Sequence, residues 1–214
     1  MQPRFATMVV LLASVLAAHA GGAQDLSPVS LPAPQMDGGK PLMQALKLRA
    51  TARAFAPDPL PPQTLANLLW AAWGINRPQE GKRTAPSARN WQEIDVLVVN
   101  ATGAYLYDAA GNALKPLVAG DFRALTGTQD FVKDAPVTLV LVADTSRMQA
   151  GADPKPMAYA DAAYVSQNVY LFCASEGLAT GVRASVDGPA LAKALRLKDT
   201  QLVVFAQSVG FPKK

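Results

Sequence analysis

The chain has 214 residues and a mass of 22.5 kDa, a size that fits one ordinary domain. Half of its residues are hydrophobic, 17% are charged and the net charge is +4, which excludes a mainly disordered protein and favours small anionic ligands over a nucleic-acid surface. The chain holds one histidine, His19, and one cysteine, Cys173. Because the segment around His19 is expected to be removed, a histidine-dependent triad, a usual zinc site and an internal disulfide are excluded for the mature chain.

Residues 1–23 are predicted to be a secretory signal peptide. Arg4 gives a short positive start, residues 8–18 form an apolar run, and Ala18-His19-Ala20 is a small-x-small cleavage site, with residues 21–23 as a second candidate. A buried N-terminal helix is the alternative. The run is shorter than the roughly 20 apolar residues that a membrane-spanning helix needs, so we expect no membrane anchor after cleavage. The expected location is periplasmic or secreted.

The rest of the chain predicts a leader followed by one α+β domain. Residues 24–40 are rich in proline and glycine and predict an extended leader over the surface, before a domain at 41–214. Apolar periodicity predicts helices at 41–49, 63–75, 159–176 and 189–195, and a weaker helix at 121–131. Residues 76–87 are polar and basic and predict a loop. Strands are predicted at 94–100, 136–144 and 201–207, with a hairpin whose arms are 104–108 and 113–117. Because helices and strands mix without regular alternation, we expect one sheet covered by helices.

Two basic segments are candidates for ligand contacts. In the first, Arg49 and Arg53 flank Thr51, and such a set can grip a phosphate by charge-assisted hydrogen bonds; an exposed basic helix end is the alternative. The second runs over residues 83–92, where Pro86 fixes the backbone and small side chains follow, so that a flat ring can approach the main chain. A plain turn before a strand is the alternative there.

Two further segments place polar groups where they need partners. Gln167 and Asn168 fall within the long apolar helix, so another helix or a ligand must satisfy them. Residues 177–183 form a crossing bounded by glycine that ends in Arg183, a charge whose burial without a partner costs free energy.

Taken in order, these segments resemble the FMN-dependent nitroreductase family, and most of all its small thiazoline-oxidase-like (SagB-type) dehydrogenase branch. RATAR at 49–53 looks like the family's opening Arg-Arg-Ser-x-Arg motif. TLANLLWAAWGINR and RTAPSARN, over 64–77 and 83–90, look like the leucine-rich helix, the Gly-Ile-Asn-Arg turn and the Pro-Ser-Ala segment of that branch. DAAYVSQNVYLFCASEGLATGVR resembles the central helix and its glycine crossing, and SVGFPKK resembles the closing strand.

The resemblance implies a homodimer with FMN at the subunit interface and a small-molecule substrate. Arg49 would contact the FMN phosphate or ribityl chain with Thr51 nearby, and Arg53 would stabilise the negative charge that develops on the reduced ring. No side-chain nucleophile and no metal are implied. The remaining residues implied to bind the cofactor are Pro86, Ser87, Ala88, Asn90, Gly181, Val182, Arg183, Lys213 and Lys214.

Two departures from the family pattern keep a second function open. Ala50 replaces a basic residue of the opening motif, and Arg89 stands where the branch often has glycine. Trp70 and Trp73 lie on the periodic helix face and are expected in the core rather than at the substrate. The favoured function is an exported flavin oxidoreductase acting on a nitro compound, quinone or related substrate. The alternative is an exported binding module that keeps the fold and binds FMN or another anionic ligand without turnover.

Overall fold

The computed structural model describes residues 26–151 and 153–214, so the predicted signal peptide at 1–23 lies outside the described residues. The described helices are α1 (Leu42–Leu48), α2 (Pro62–Trp73), α3 (Lys155–Glu176) and α4 (Gly188–Ala194). The strands are β1 (Val29–Ser30), β2 (Ile75–Arg77), β3 (Lys82–Arg83), β4 (Ile94–Val99), β5 (Gly103–Asp108), β6 (Ala113–Ala119), β7 (Val137–Asp144), β8 (Ala179–Arg183) and β9 (Gln201–Gly210). Within the described ranges, no helix is both long and apolar enough to cross a lipid bilayer.

Seven strands form one antiparallel sheet in the order β1-β6-β5-β4-β7-β9-β8. β7 lies between β4 and β9, and its residues 137–143 are all buried, as its continuous apolar sequence predicts. The predicted leader contributes the short edge strand β1, which pairs Val29 with Leu114, and it places Leu31 in the core. The predicted α+β class with a central antiparallel sheet is therefore confirmed.

Helices cover both faces of this sheet because the side chains of β7 alternate. Leu139 and Leu141 pack in the larger core together with α2 and α3, whereas Val140 and Val142 pack in a second core with Leu191 of α4. Asp187 caps the start of α4, because its side chain accepts a hydrogen bond from the Ala190 N–H at 3.0 Å.

The long helix α3 lies in the larger core of the domain. Ala158, Ala162, Val165, Val169 and Cys173 follow a helical spacing and are all fully buried in the larger core. Burial raises the pKa of the Cys173 thiol, which therefore stays protonated. The helix ends where predicted, at Gly177, which adopts a φ of 72° that suits glycine.

Two local predictions were wrong. Residues 76–87 are not a simple loop, because β2 and β3 form a small antiparallel hairpin through a turn that Gly81 closes at a φ of +64°. Residues 121–131 do not form an α-helix but two short 3₁₀ turns, Arg123–Thr126 and Asp130–Lys133. The helix is interrupted at Gly127, whose backbone is extended with φ 176° and ψ 167°, and the Thr126 carbonyl beside it accepts a hydrogen bond from Arg183 Nε at 2.8 Å.

Candidate functional site

The RATAR segment, residues 49–53, leaves the end of α1 and runs along the outer edge of β8. The Ala52 N–H donates to the Thr180 carbonyl at 2.8 Å. A Cβ atom at Gly181 would lie 2.6 Å from the Ala52 carbonyl oxygen, so the two backbones meet only because residue 181 is glycine. Two candidate segments that are more than 120 residues apart in sequence are therefore in direct contact.

Tyr170 of α3 joins the two segments further. Its hydroxyl lies 2.9 Å from Thr51 Oγ1 and accepts a hydrogen bond from the Val182 N–H at 3.0 Å. The Arg49 guanidinium lies over the Tyr170 ring, 5.3 Å from its centroid. One buried phenol thus fixes three of the predicted site residues relative to one another.

The C-terminal residues lie beside the same segment. Phe55 and Pro212 form an antiparallel bridge, and the Ala56 N–H donates to the Phe211 carbonyl at 2.9 Å, which brings the last two lysines alongside residues 53 and 54. Among the described residues, no carboxylate lies within ion-pairing distance of the four cations of this edge, Arg49, Arg53, Lys213 and Lys214. The edge is therefore a cluster of exposed positive charge.

A cavity of about 240 Å³ opens at this cluster. Its lining is mostly polar and comprises Thr51, Arg53, Gln129, Phe131, Gly181, Val182, Arg183, Ala184 and Ser185. Charge-assisted donors around a polar cavity suit an anion such as a phosphate group.

Arg183 lines this cavity, yet its side chain is committed to the protein. Its guanidinium donates to the Thr126 carbonyl and hydroxyl, both at 2.8 Å, and to Ser208 Oγ at 3.0 Å. Burial lowers the pKa of Arg183 to about 10. Hydrogen bonds to these neutral partners compensate for the burial of the cation. Arg183 therefore forms part of the cavity wall and leaves few donors for a ligand.

The predicted ring-facing residues 86–90 lie elsewhere on the protomer. The Ala88 N–H donates to Asp161 Oδ2 at 2.7 Å, whereas the RATAR segment is fixed to Tyr170. Asp161 and Tyr170 are nine residues apart on α3, about 13 Å along the helix axis. Within one protomer, α3 therefore holds the two parts of the predicted site at different points along its length.

The segment 86–92 has an unusual backbone. Arg89, Asn90 and Gln92 have φ values of 51°, 56° and 50°, in the left-handed region that favours glycine. Ser87 closes the turn, because its Oγ accepts a hydrogen bond from the Gln92 N–H at 3.0 Å. The glycine that the branch often has at the position of Arg89 would suit this φ. The Arg89 side chain is exposed and bonds to Gln149.

Sequence reasoning missed an acidic pair behind this segment. Glu93 is fully buried and lies against Asp161, which is 3% exposed. Burial raises the pKa of Glu93 to about 7, and the hydrogen bond and negative charge of Asp161 act in the same direction. Glu93 stands between Gln92 and the apolar strand β4 in sequence, and a carboxylate in that position is the only signal that could have drawn attention to it.

A second, larger cavity of about 630 Å³ lies between the leader, α1, α2 and the C-terminal half of α3. Trp73 is buried in the core as predicted, whereas Trp70 is half-buried and lines this cavity. Asn168, also on its wall, donates to the Ala71 carbonyl at 3.0 Å, so the neighbouring helix α2 supplies the partner that this amide needs, and Gln167 is exposed. Within residues 26–151 and 153–214, no group of three or more His, Cys, Asp or Glu side chains is arranged to hold a metal ion.

Three solved structures share the fold. A candidate nitroreductase of Ralstonia eutropha JMP134 is 39% identical, covers 87% of this chain and 90% of its own, and superposes with a TM-score of 0.84. A candidate nitroreductase of Desulfovibrio desulfuricans in complex with FMN is 21% identical, with 82% and 88% coverage and a TM-score of 0.60. A chain of the Escherichia coli microcin synthetase McbBCD complex, bound to truncated pro-MccB17, is 18% identical, with 99% and 85% coverage and a TM-score of 0.67.

The model of one protein family matches most of the domain described above. It is the model of the nitroreductase family, and it matches residues 46–211. The matched range includes the RATAR segment, the strained segment 86–92, α3 and β8, and ends just before the last two lysines. This chain belongs to the nitroreductase family.

Proposed function

We propose that this nitroreductase-family oxidoreductase is an exported enzyme that depends on FMN and passes electrons through it to or from a small organic substrate such as a nitro compound or a quinone. The observation that carries the proposal is the polar cavity at the edge of β8, which Arg53 and Thr51 line, beside three further exposed cations, Arg49, Lys213 and Lys214. FMN in the Desulfovibrio desulfuricans relative supports the choice of cofactor.

The residues at this edge fit the phosphate end of FMN. Arg49, Lys213 and Lys214 offer charged donors, and glycine at position 181 lets backbone approach backbone beside them. A bound flavin would accept and release the electrons, so the protein has to bind, orient and tune it. Arg53 would stabilise the negative charge that develops on the ring upon reduction.

A second copy of the chain is needed to complete the site in this proposal. The cavity of about 240 Å³ is smaller than the 300–1,000 Å³ or so typical of pockets that bury a whole ligand. Asp161, which binds the 86–90 segment, and Tyr170, which binds the RATAR segment, are about 13 Å apart along the axis of α3 in the same protomer. A homodimer that brings the 86–90 segment of one protomer to the RATAR segment of its partner would join the two halves.

The test is a visible absorbance spectrum of the purified protein after incubation with FMN and desalting. We expect flavin bands to remain with wild type and to fall about tenfold or more in Arg49→Ala, because one charge-assisted phosphate contact is worth about 1.5–3 kcal/mol. Lys198→Ala is the matched control, since it removes one exposed cation at the opposite end of β9.

The outcomes separate the two candidate functions. Retained flavin that is reduced and reoxidised over many turnovers supports the enzyme. Retained flavin without turnover across a panel of donors and acceptors supports a binding module. A protein that never holds FMN contradicts the enzyme and favours a binding module for another anionic ligand. Export is tested separately, by finding whether full-length protein is recovered from the periplasm or medium with a new N-terminus near residue 21 or 24.

A further inference from the structure

The buried carboxyl group of Glu93 lacks a hydrogen-bond partner if both members of the acidic pair are ionised. Glu93 is 0% exposed, and neither of its carboxyl oxygens meets a donor from another of the described residues. The group within hydrogen-bond reach is the carboxyl of Asp161. Two carboxyl groups can bond to each other only when one of them carries a proton.

The Glu93–Asp161 pair is linked to the strained segment 86–92 by a hydrogen bond and by the chain itself. Asp161 accepts a hydrogen bond from the Ala88 N–H, and Glu93 directly follows Gln92, the last of the three residues of this segment with positive φ. Residues in that region persist only where the surrounding structure holds them in place. The carboxyl pair is therefore joined to the segment near its beginning and at its end.

We propose that Glu93 and Asp161 share a single proton around neutral pH, and that this protonated pair positions the 86–92 segment for ligand binding. Both are positioning residues, since they act through the backbone of Ala88 and Gln92. Loss of the proton would leave two negative charges side by side in a buried site, and their repulsion would weaken the Asp161 contact to Ala88. The link to flavin rests on the proposed function, whereas the shared proton does not.

Two charged residues among those described act on the pKa of Glu93. Asp161 approaches from α3 and opposes ionisation, and Arg147 approaches from the turn after β7 and favours it. Arg147 is already paired with Asp95 at 2.7 Å and lies 3.8 Å from Asp144. Its charge is thus largely neutralised, and burial together with Asp161 raises the pKa of Glu93 to about 7.

The sign of the pH effect follows from this direction. Between the ordinary glutamate pKa and about 7, folded Glu93 holds a proton that the unfolded chain releases. The free energy of unfolding should therefore fall as pH rises through this window, and the contribution of Glu93 should be constant above it. Glu93→Gln keeps a donor toward Asp161 without a titrating proton, so it should remove this slope.

The first measurement needs no FMN. In wild type we expect the infrared carbonyl band of a protonated carboxyl group to persist at about pH 6, above the ordinary glutamate range, and to disappear by about pH 9. The band should be missing in Glu93→Gln and kept in Glu80→Gln, the same substitution at an exposed glutamate. The urea midpoint should fall between about pH 5 and pH 8 in wild type and in Glu80→Gln, but fall less in Glu93→Gln.

Absence of the band in wild type at about pH 6, or an unchanged slope in Glu93→Gln, would overturn the shared proton. Should Glu93→Gln not fold, Asp161→Asn decides, because its amide would donate to ionised Glu93 and the band should be lost at a lower pH than in wild type. A band lost at the same pH as in wild type would count against the pair. With FMN, the dissociation constant should rise several-fold more between pH 6 and pH 9 in wild type than in Glu93→Gln. If the dissociation constant rises equally in both while the band behaves as expected, the positioning role is contradicted but the shared proton is not. If no variant holds FMN, the proposed function is contradicted instead.

Discussion

At the scale of single residues, Tyr170 shows how the site is assembled. Its apolar ring packs in the buried face of α3 while its hydroxyl bonds to Thr51 and Val182, which lie 119 and 12 residues away in sequence. Periodicity places Tyr170 on the buried side of a helix, and a buried phenol needs a hydrogen-bond partner. Which partner it finds depends on tertiary contacts, so its role could not be predicted from the sequence.

Tyr170→Phe tests this role by removing only the hydroxyl. We expect a loss of about 1 kcal/mol in the free energy of unfolding, because the half-buried Val182 N–H is left without its acceptor while exposed Thr51 can bond to water. FMN retention should fall with it. Urea unfolding measures the effect, and Tyr159→Phe, at an exposed tyrosine on the same helix, should change stability by less than about 0.5 kcal/mol. Equal effects of the two variants would contradict the assignment.

At the scale of elements, the contact between the RATAR segment and β8 depends on Gly181. In Gly181→Ala, the new methyl group would lie 2.6 Å from the Ala52 carbonyl oxygen, so the segment must move away from the strand. We expect overpacking to reduce stability by about 1–3 kcal/mol and the FMN dissociation constant to rise about tenfold. Titration of flavin fluorescence and urea unfolding measure the two changes.

Gly38→Ala is the control for this prediction. A Cβ atom at Gly38 has no neighbouring atom within 4 Å, so the substitution should leave both the stability and the binding of FMN unchanged. Loss of FMN binding in Gly38→Ala as large as in Gly181→Ala would show that the contact to Ala52 is not what matters.

The elements also show what the sequence could and could not predict. The long helix α3 and the central strand β7 follow from apolar patterns that continue over several turns or residues. The hairpin of β2 and β3 and the edge strand β8 are short and interrupted by glycine or charged residues, so no period develops in them. The predicted helix at 121–131 is absent because the backbone is extended at Gly127, next to Thr126, which bonds to Arg183 across 57 residues of sequence.

At the scale of the whole molecule, two separated half-sites and an exposed apolar face favour a dimer. Leu42, Met43, Leu46 and Leu48 of α1 are 61%, 75%, 44% and 52% exposed, and α1 packs beside α3, whose Tyr164 is also exposed. An apolar surface of this kind is typical of protein–protein contacts.

Met43→Glu tests this surface by placing a charge on its most exposed residue. We expect sedimentation velocity to show a dimer for wild type. The dissociation constant of the dimer should be at least about tenfold higher for the variant, because a charge buried without a partner costs more than about 1.4 kcal/mol. Leu125→Glu, an equally apolar exposed position in the turn beside α4 on the opposite face, should not change the oligomeric state. A wild type that stays monomeric at all concentrations would contradict the dimer.

The position of the RATAR segment has a consequence for aggregation. A bare edge strand offers unpaired backbone groups to any other extended chain, and proteins guard against this with covered or very short edges. One edge of the large sheet is β8, where Ala52 bonds to the Thr180 carbonyl and the Tyr170 hydroxyl accepts a hydrogen bond from the Val182 N–H. The other edge is the two-residue strand β1. The residues that form the candidate phosphate site therefore also protect the sheet from adding a foreign strand.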